Sequence, residues 1–299
     1  IKLELQDILR GNYFDPHTSI WHYKIDDLSE VGMPEMWLKA NPNLGATISY
    51  ETYEKDVARM EAVPSERNDI LAKRFGVPVE GASYFFKYED TIPHKPQNFD
   101  GMICALGADL SQGDDFCAFT LIFPLGNGFF GVKTRSYVSE LKVKKLDVAM
   151  RQKYKEFIDE GTLVVMDGAY LDMKLVYRDL DDHLMEHQYT VISLGYDPYN
   201  SKEFIDSWVS EHGDYGVTKV IQGARTESVP LGEIGNMASE RLLIFDELLM
   251  KFAMGNAIAL KDTNGNMKLS KMRDKEKIDN VAALLDAWVA YKRFQEAFE

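Results

Sequence analysis

Long apolar runs are missing from this 299-residue sequence, which contains no stretch of about 18 consecutive apolar residues. Its first residues, IKLELQDILRG, also lack the layout of a signal peptide, so nothing in the sequence indicates membrane insertion or export. The absence of an initiator Met suggests a fragment of a longer protein. Since 45% of the residues are hydrophobic, we expect a folded chain with one large domain or two ordinary ones.

Cysteine is scarce. Cys104 and Cys117 are the only two, and both lie in apolar, strand-like runs. This setting predicts buried thiols in a reducing compartment rather than a disulfide or a cysteine metal site.

Basic residues are fewer than acidic residues: the sequence has 34 Lys and Arg and 48 Asp and Glu, which gives a net charge of -14. This balance argues against wholesale attraction to nucleic acid, for which affinity normally comes from Lys and Arg. A local basic groove remains compatible with it. Acidic proteins that act on DNA commonly hold divalent cations with clustered carboxylates, and those cations meet the phosphates.

The first ninety residues have a mixed pattern. Residues 19–25 read as extended, whereas residues 50–62 and 66–75 have helical spacing of their apolar side chains. The segment EDTIPHKPQNFDG contains two prolines and few apolar residues, which predicts a linker near residues 90–101. We therefore expect two domains, residues 1–95 and 96–299.

The pattern is sharper after this linker. Three strands are predicted in close succession at residues 102–110, 117–125 and 129–138, and the sequence GNG joins the last two as a hairpin. Further strands are predicted at 163–166, 190–196 and 217–221, with two short strand-like pieces around DTNGN. Helices are predicted at 144–160, 172–187, a segment through residue 209, 231–254 and 278–294. The order predicts a mixed α/β sheet, with three antiparallel strands first and helices on its faces.

Three aspartates stand where catalysis would need them. Asp109 ends the first of these strands, Asp197 ends a later strand, and Asp279 opens the final helix. If they converge, their mutual repulsion requires cations, and oxygen-only ligands favour Mg²⁺ or Mn²⁺. A pair of such ions roughly 3.5–4 Å apart is the arrangement that cleaves phosphodiesters. Taken singly, each aspartate is better explained as a turn residue or a helix cap, and only the set of three indicates catalysis.

Other acidic residues are weaker candidates. Asp286 lies seven residues after Asp279 on a similar helix face, so it is a candidate accessory ligand. Asp167 also follows a strand, but the Gly168 after it favours a turn over an accessory role. Asp172 is expected to cap a helix. Asp114 and Asp115, close after the first strand, are expected to shape a turn.

A basic run precedes Asp279 in this otherwise acidic chain. Its members are Lys261, Lys268, Lys271, Arg273, Lys275 and Lys277. An isolated run of this kind is usually a solvated loop. Next to a metal-binding aspartate, it is well placed to hold a DNA backbone, and Arg225 in QGARTES could join it.

Several segments, taken together and in order, resemble the nuclease domain of large terminase subunits from tailed double-stranded DNA phages. They are DLSQGDDFCAFTLIF, GYDPYNSKEF, KFAMGNAIALKDTNGNMKLSK and KIDNVAALLDAW. The earlier pieces IWHYKIDD, WLKANPNLG and NDILAKRFGV resemble the end of the packaging ATPase and its connection to the nuclease. The resemblance spans nearly the whole chain. Its specific parts are the GNxxxxxDxxGNxxxxK pattern at residues 255–271 and KID at residues 277–279.

This resemblance implies a ribonuclease H-like fold, with a smaller N-terminal α/β piece, and a metal-dependent endonuclease that cuts concatemeric viral DNA. The metal ligands of the family fall on Asp109, Asp197 and Asp279, with two Mg²⁺ or Mn²⁺ ions as cofactors. The partners implied are double-stranded DNA, the small terminase subunit, the portal protein and a homo-oligomeric ring on the portal. The implied location is the host cell cytoplasm, with no membrane partner.

Two features depart from the family pattern. The chain contains no GxxxxGK[ST] loop, so we expect ATP to be used by a motor domain outside these residues. Asp167 stands where the family has an uncharged residue. Two alternatives remain open at this stage: another ribonuclease H-like nuclease of the transposase or resolvase type, and a non-catalytic packaging module that docks on the portal or the small terminase.

Overall fold

The protein consists of two compact units, Ile1–Ala82 and Ser83–Glu299. Its structure, a computed structural model, describes residues 17–62, 64–77, 85–111, 116–146, 148–261, 265–271 and 277–299. The predicted linker, residues 90–101, lies within the larger unit, where the backbone N–H of His94 donates to the carbonyl of Phe245 at 2.6 Å.

The N-terminal unit is built around a cluster of aromatic side chains. Its described residues form helices α1 (Tyr50–Ala62) and α2 (Pro64–Phe75) and two short 3-10 helices, Leu28–Gly32 and Pro34–Lys39. The rings of Trp37 and Tyr53 lie 5.6 Å apart, and that of Phe75 lies 5.5 Å from Tyr53. All three residues are buried. Both helices predicted here from apolar spacing are confirmed.

The larger unit contains a seven-stranded sheet. Its strands are β1 (Ile103–Asp109), β2 (Cys117–Gly126), β3 (Phe129–Ser139), β4 (Leu163–Met166), β5 (Thr190–Tyr196), β6 (Val217–Lys219) and β7 (Leu243–Ile244). The strand order is β4-β3-β2-β1-β5-β6, and β7 also pairs with β3. Strand β2 is antiparallel to β1 and β3, whereas β4, β5, β6 and β7 each join in parallel. A separate hairpin consists of β8 (Ala257–Lys261) and β9 (Met267–Lys271).

The turn between β2 and β3 has the geometry that its sequence predicts. Asn127 and Gly128 both have positive φ, 52° and 81°, as a two-residue hairpin loop with the twist of its strands requires. The predicted antiparallel arrangement of the first three strands is therefore confirmed.

Helices cover both faces of the sheet. They are α3 (Glu140–Lys144), α4 (Val148–Glu160), α5 (Met173–Glu186), α6 (Lys202–His212), α7 (Ala224–Ser239), α8 (Leu248–Asn256) and α9 (Asp279–Arg293). In β1, Ala105 packs with side chains of α7, α8 and α9, while Cys104 and Leu106 pack with those of α5 and α6. This alternation explains why β1 is apolar on both faces. Among the helices that the structure describes, none is long and apolar enough to cross a membrane.

One predicted helix is wrong. Residues 231–254 are not continuous, because α7 ends at Ser239, α8 begins at Leu248, and β7 lies between them. Arg241 adopts a positive φ of 59° in the intervening turn, and Leu243 and Ile244 then pair with β3. Sheet pairing therefore interrupts a segment whose two halves each keep helical spacing. The helix predicted at 144–160 is likewise divided between α3 and α4.

The cysteines are placed as expected. Cys104 and Cys117 are fully buried free thiols on neighbouring strands. Burial raises the pKa of both thiols above its ordinary value, so neither is poised to react as a thiolate.

A buried glutamate links β3 to the start of α8. One carboxylate oxygen of Glu247 accepts hydrogen bonds from the backbone N–H and the hydroxyl of Thr134, at 2.8 and 2.6 Å. Burial raises the pKa of Glu247 to about 8, although Thr134 and the Lys133 ammonium oppose the shift. Glu247 is therefore mainly protonated at neutral pH.

This raised pKa makes the stability of the fold depend on pH. The Glu247 side chain loses its proton near pH 4.3 in the unfolded chain but only near pH 8 in the folded chain. The contribution of Glu247 to the free energy of unfolding is therefore complete at low pH and is lost as the pH rises between these two values. We expect Glu247→Gln, which still accepts from Thr134 but cannot ionise, to show a smaller loss of unfolding free energy over this range. Urea unfolding at several pH values measures it.

The matched control is Glu240→Gln, because Glu240 is exposed at the end of α7. Its pH profile should follow that of the unsubstituted protein. Equal losses in the unsubstituted and Glu247→Gln proteins would contradict the assignment.

Candidate metal centre

Two of the predicted aspartates leave the sheet at the same edge. Asp109 is the last residue of β1, and Asp197 directly follows β5. These strands are parallel neighbours, and Ala108 pairs with Tyr196, so the two aspartates are adjacent across the pair. Their backbones are about 5 Å apart, the usual spacing of paired strands.

The third aspartate reaches this edge because a helix packs unusually close to the sheet. A side-chain Cβ added at Gly107 of β1 would lie 1.8 Å from the carbonyl oxygen of Ala283, and one added at Gly195 of β5 would lie 1.9 Å from that of Asp286. Only glycine permits this approach. The backbone of α9 therefore rests directly on β1 and β5, with Asp279 in its first turn.

Two buried hydrogen bonds fix the first turn of α9. The hydroxyl of Thr120 on β2 donates to the carbonyl of Asn280 at 2.9 Å. The side-chain amide of Asn280 donates to the hydroxyl of Ser136 on β3, also at 2.9 Å. Asn280 thus orients the neighbouring Asp279. Asn280 was not among the residues predicted from the sequence, although a polar residue in an apolar helix was a usable signal.

All three predicted aspartates line one cavity of about 300 Å³. Two further carboxylates also line it, those of Asp286 and Glu227. Its other lining residues are Leu110, Ser111, Tyr199, Asn200, Gln222, Leu269, Lys271, Ile278, Ala282 and Leu285. The three predicted aspartates thus share one cavity. No choice of one carboxylate oxygen from each of Asp109, Asp197 and Asp279 places the three atoms within 4.8 Å of one another. The three side chains therefore line the cavity without meeting at one point.

The carboxylates share one electrostatic environment. The pKa of Asp286 is raised well above its ordinary value, first by burial and then by the charges of Asp109, Asp197 and Glu227. The backbone of Asp197 donates a hydrogen bond that opposes the shift. Carboxylates so close together are favourable to bound cations.

Glu227 is a cavity residue that the sequence analysis did not identify. It is buried in the first turn of α7, and its two oxygens accept the backbone N–H groups of Gly223 at 2.7 Å and Leu269 at 2.8 Å. It therefore ties the start of α7 to β9. Its only sequence signal is an acidic residue in a first helical turn, which is too common to single out a site.

Asp197 has the turn role that its sequence suggested as well as its cavity position. One carboxylate oxygen accepts the backbone N–H of Tyr199 at 3.0 Å, which shapes the turn after β5. The turn role of Asp197 is compatible with a role as a metal ligand, because the hydrogen bond uses only one of the several lone pairs of the carboxylate.

The remaining acidic candidates are elsewhere. Asp167 is exposed after β4, at the same sheet edge but three strands from β1, or about 14 Å away, and it does not line the cavity. Asp172 caps α5, accepting the backbone N–H of Lys174 at 2.9 Å, as expected. Asp114 and Asp115 lie outside the described residues.

The basic candidates have different positions. Lys271 lines the cavity, whereas Lys268 is exposed on β9 and Arg225 is exposed in the first turn of α7. Lys277 is buried, with its ammonium 5.9 Å from the centre of the Phe116 ring. Arg273, Lys275 and the side chain of Lys261 lie outside the described residues.

Comparisons with known proteins agree on one family. The model of the terminase large subunit endonuclease domain matches residues 13–295. The large terminase subunit of Lactococcus phage p2 is 22% identical over 268 residues, covering 88% of this chain and 49% of that protein. The large terminase subunit of Enterobacteria phage HK97 is 23% identical over 287 residues, covering 90% and 54%.

The fold agrees as well. The crystal structure of the HK97 bacteriophage large terminase matches with a TM-score of 0.62 and 20% identity, covering 97% of this chain and 60% of that one. The predicted ribonuclease H-like mixed α/β sheet is therefore confirmed. The chain spans about half the length of the curated relatives it matches.

The close packing of α9 on the sheet can be tested by adding a methyl group. Gly107→Ala would place the Cβ 1.8 Å from a helix carbonyl, so α9 must shift and the free energy of unfolding should fall by about 1–3 kcal/mol or more. Gly255→Ala is the matched control, because no atom lies within 4 Å of its added Cβ, and alanine favours a helix by up to about 1 kcal/mol. Urea unfolding gives both values, and an unchanged stability of Gly107→Ala would refute the constraint.

Proposed function

This chain belongs to the terminase large subunit family, through its endonuclease domain, and we propose that it is a metal-dependent endonuclease that cuts concatemeric double-stranded DNA during viral genome packaging. The single observation that carries the proposal is the cavity shared by Asp109, Asp197 and Asp279 at the edge of the sheet. Oxygen-only donors of this kind fit Mg²⁺ or Mn²⁺ better than softer metals.

The proposed ligands are Asp109, Asp197 and Asp279, with Asp286 as an accessory group on the same helix. Bound Mg²⁺ or Mn²⁺, in the proposed pair of ions, supplies the Lewis-acid chemistry that activates water and stabilises the leaving oxygen in phosphodiester hydrolysis. Neighbouring residues of the protein hold these ligands in position. Asn280 holds the first turn of α9 against β2 and β3, and the turn at Tyr199 fixes one oxygen of Asp197.

The basic residues are proposed to hold the DNA backbone. Lys271 lies at the cavity itself, and the exposed Lys268 and Arg225 extend the basic surface beside it. Lys261, Arg273 and Lys275 complete the proposed set, whereas Lys277, predicted to belong to it, is buried against Phe116 and is not proposed as a DNA contact. Contacts of this type position a duplex without reading its sequence, so we expect little sequence preference.

Packaging roles beyond cutting are proposed on family membership. Residues 1–95 would form the end of the packaging ATPase domain and its linker, with residues 96–299 as the nuclease, and ATP would be used by the rest of that motor. The small terminase subunit, the portal protein and further copies in a ring would be its partners in the host cytoplasm. The match to the terminase family favours a terminase nuclease over a transposase or resolvase.

Removing a metal ligand should abolish cutting. We expect Asp109→Asn to lower the rate of cutting of supercoiled plasmid in Mn²⁺ by at least about 100-fold, because losing a ligand should exceed the 10- to 100-fold effect of losing an outer partner. Asp167→Asn is the matched control, since it also follows a strand at this edge but does not line the cavity.

Two results would count against the nuclease. One is equal cutting by the unsubstituted protein and Asp109→Asn. The other is an absence of carboxylate-dependent Mn²⁺ binding by calorimetry, which would favour a non-catalytic docking module.

The proposed backbone contact predicts a change in salt dependence. Lys271→Ala should bind duplex DNA more weakly, and the slope of log affinity against log salt should become shallower by about 0.9, the contribution of one phosphate contact. Lys144→Ala is the control, because Lys144 lies on α3 and pairs with Glu140 at 2.6 Å. Fluorescence anisotropy over a salt series measures both, and an unchanged slope for Lys271→Ala would remove this residue from the interface.

A further inference from the structure

The end of α5 carries a second cluster of metal-ligating side chains. One ligand atom from each of His183, Glu186 and His187 lies within 4.8 Å of the other two, and these residues form the only such group among the described part of the chain. The cluster lies beside Asp100, just before β1 begins, whereas the carboxylate cavity lies at the other end of that strand, at Asp109. The two places are therefore separated by the length of that strand, about 20 Å.

Helical spacing explains how the cluster forms. In the segment HLMEH, the three residues are at positions i, i+3 and i+4, which share one helix face. The rings of His183 and His187 lie 4.6 Å apart between their centres. Two imidazoles and one carboxylate can therefore face one ion without rearranging the backbone.

Neighbouring groups hold His187 in place. Its Nδ1 lies 2.8 Å from the Asp100 carboxylate, and its ring stacks on Tyr189 with 5.1 Å between centres and 15° between planes. The backbone N–H of Gly101 donates to the carbonyl of His187 at 2.9 Å. A metal-bound histidine characteristically gives its other ring N–H to a carboxylate, which leaves Nε2 for the metal. Asp100 occupies that outer position.

The local charges suit a dication. The carboxylates of Glu186, Asp100 and Asp179 surround the cluster, and Arg135 is paired with Asp179. A cation here also meets the carbonyl end of α5, where positive charge is stabilising.

We propose that His183, Glu186 and His187 bind one Zn²⁺ or a similar transition-metal ion, with water as a fourth ligand and Asp100 as the hydrogen-bond partner of His187. Three protein ligands and an open position are a common zinc arrangement. The nitrogen donors distinguish this site from the oxygen-only cavity, because imidazole selects Zn²⁺, Co²⁺ or Ni²⁺ over Mg²⁺. The ion would fix the end of α5 beside the segment that enters β1. The proposal does not depend on the nuclease function.

Co²⁺ is the probe, because its visible absorption is strong in four-coordinate sites and weak in six-coordinate oxygen sites. The protein is titrated with Co²⁺ in excess Mg²⁺, which occupies oxygen-only sites. We expect one strongly absorbing Co²⁺ per chain, displaced by Zn²⁺. His187→Ala and Glu186→Gln should each weaken binding by at least about 100-fold, and Asp100→Asn by about tenfold, as for other outer partners.

Two controls separate this site from the rest of the molecule. His212 lies on α6, where its Nε2 is 2.9 Å from the carboxylate of Asp181 on α5. The His212→Ala variant removes a histidine outside the cluster and should therefore bind Co²⁺ normally. Asp109→Asn should also keep the absorption, because it alters only the carboxylate cavity. Glu186 is exposed, so Glu186→Gln tests the ligand set without disturbing packing. The proposal is overturned by an absence of strong absorption, by unchanged binding in Glu186→Gln, or by loss of the absorption in Asp109→Asn.

Discussion

The direct contact between the backbone of α9 and strands β1 and β5 is the constraint on which the candidate site depends. Gly107 and Gly195 leave no side chain between helix and sheet, since an added Cβ at either would meet a helix carbonyl within 2 Å. With any larger residue there, α9 would stand farther from the sheet. Asp279 and Asp286 would then be withdrawn from Asp109 and Asp197. Two small residues in the strands thus determine whether carboxylates distant in sequence share one cavity.

The same packing creates an electrostatic cost. Five carboxylates line a cavity of about 300 Å³, and the raised pKa of Asp286 records the burial and the mutual repulsion among them. The protein reduces this cost locally through hydrogen bonds, with backbone N–H groups donating to both oxygens of Glu227 and to one of Asp197. What remains is an environment in which divalent cations are stabilised.

The two ends of β1 differ in their ligand chemistry. The carboxyl end meets only oxygen donors, whereas the start of the strand lies beside two imidazoles and a glutamate on α5. Donor type separates hard cations from transition metals even where both are present. One strand therefore connects the two proposed metal sites, and a Zn²⁺ ion at the second would act on the fold rather than on DNA.

The sequence by itself determined most strands and helices and the position of each aspartate at an element end, because these follow from local periodicity and turn residues. It also indicated the family, chiefly through the patterns at residues 255–271 and 277–279 together with the segment 109–123. It did not separate α7 from α8, since the short strand between them forms by pairing with β3. Tertiary structure alone selected Glu227 and Asn280 and excluded Asp167 from the cavity. Proximity across a sheet depends on strand order and helix packing, which sequence spacing does not encode.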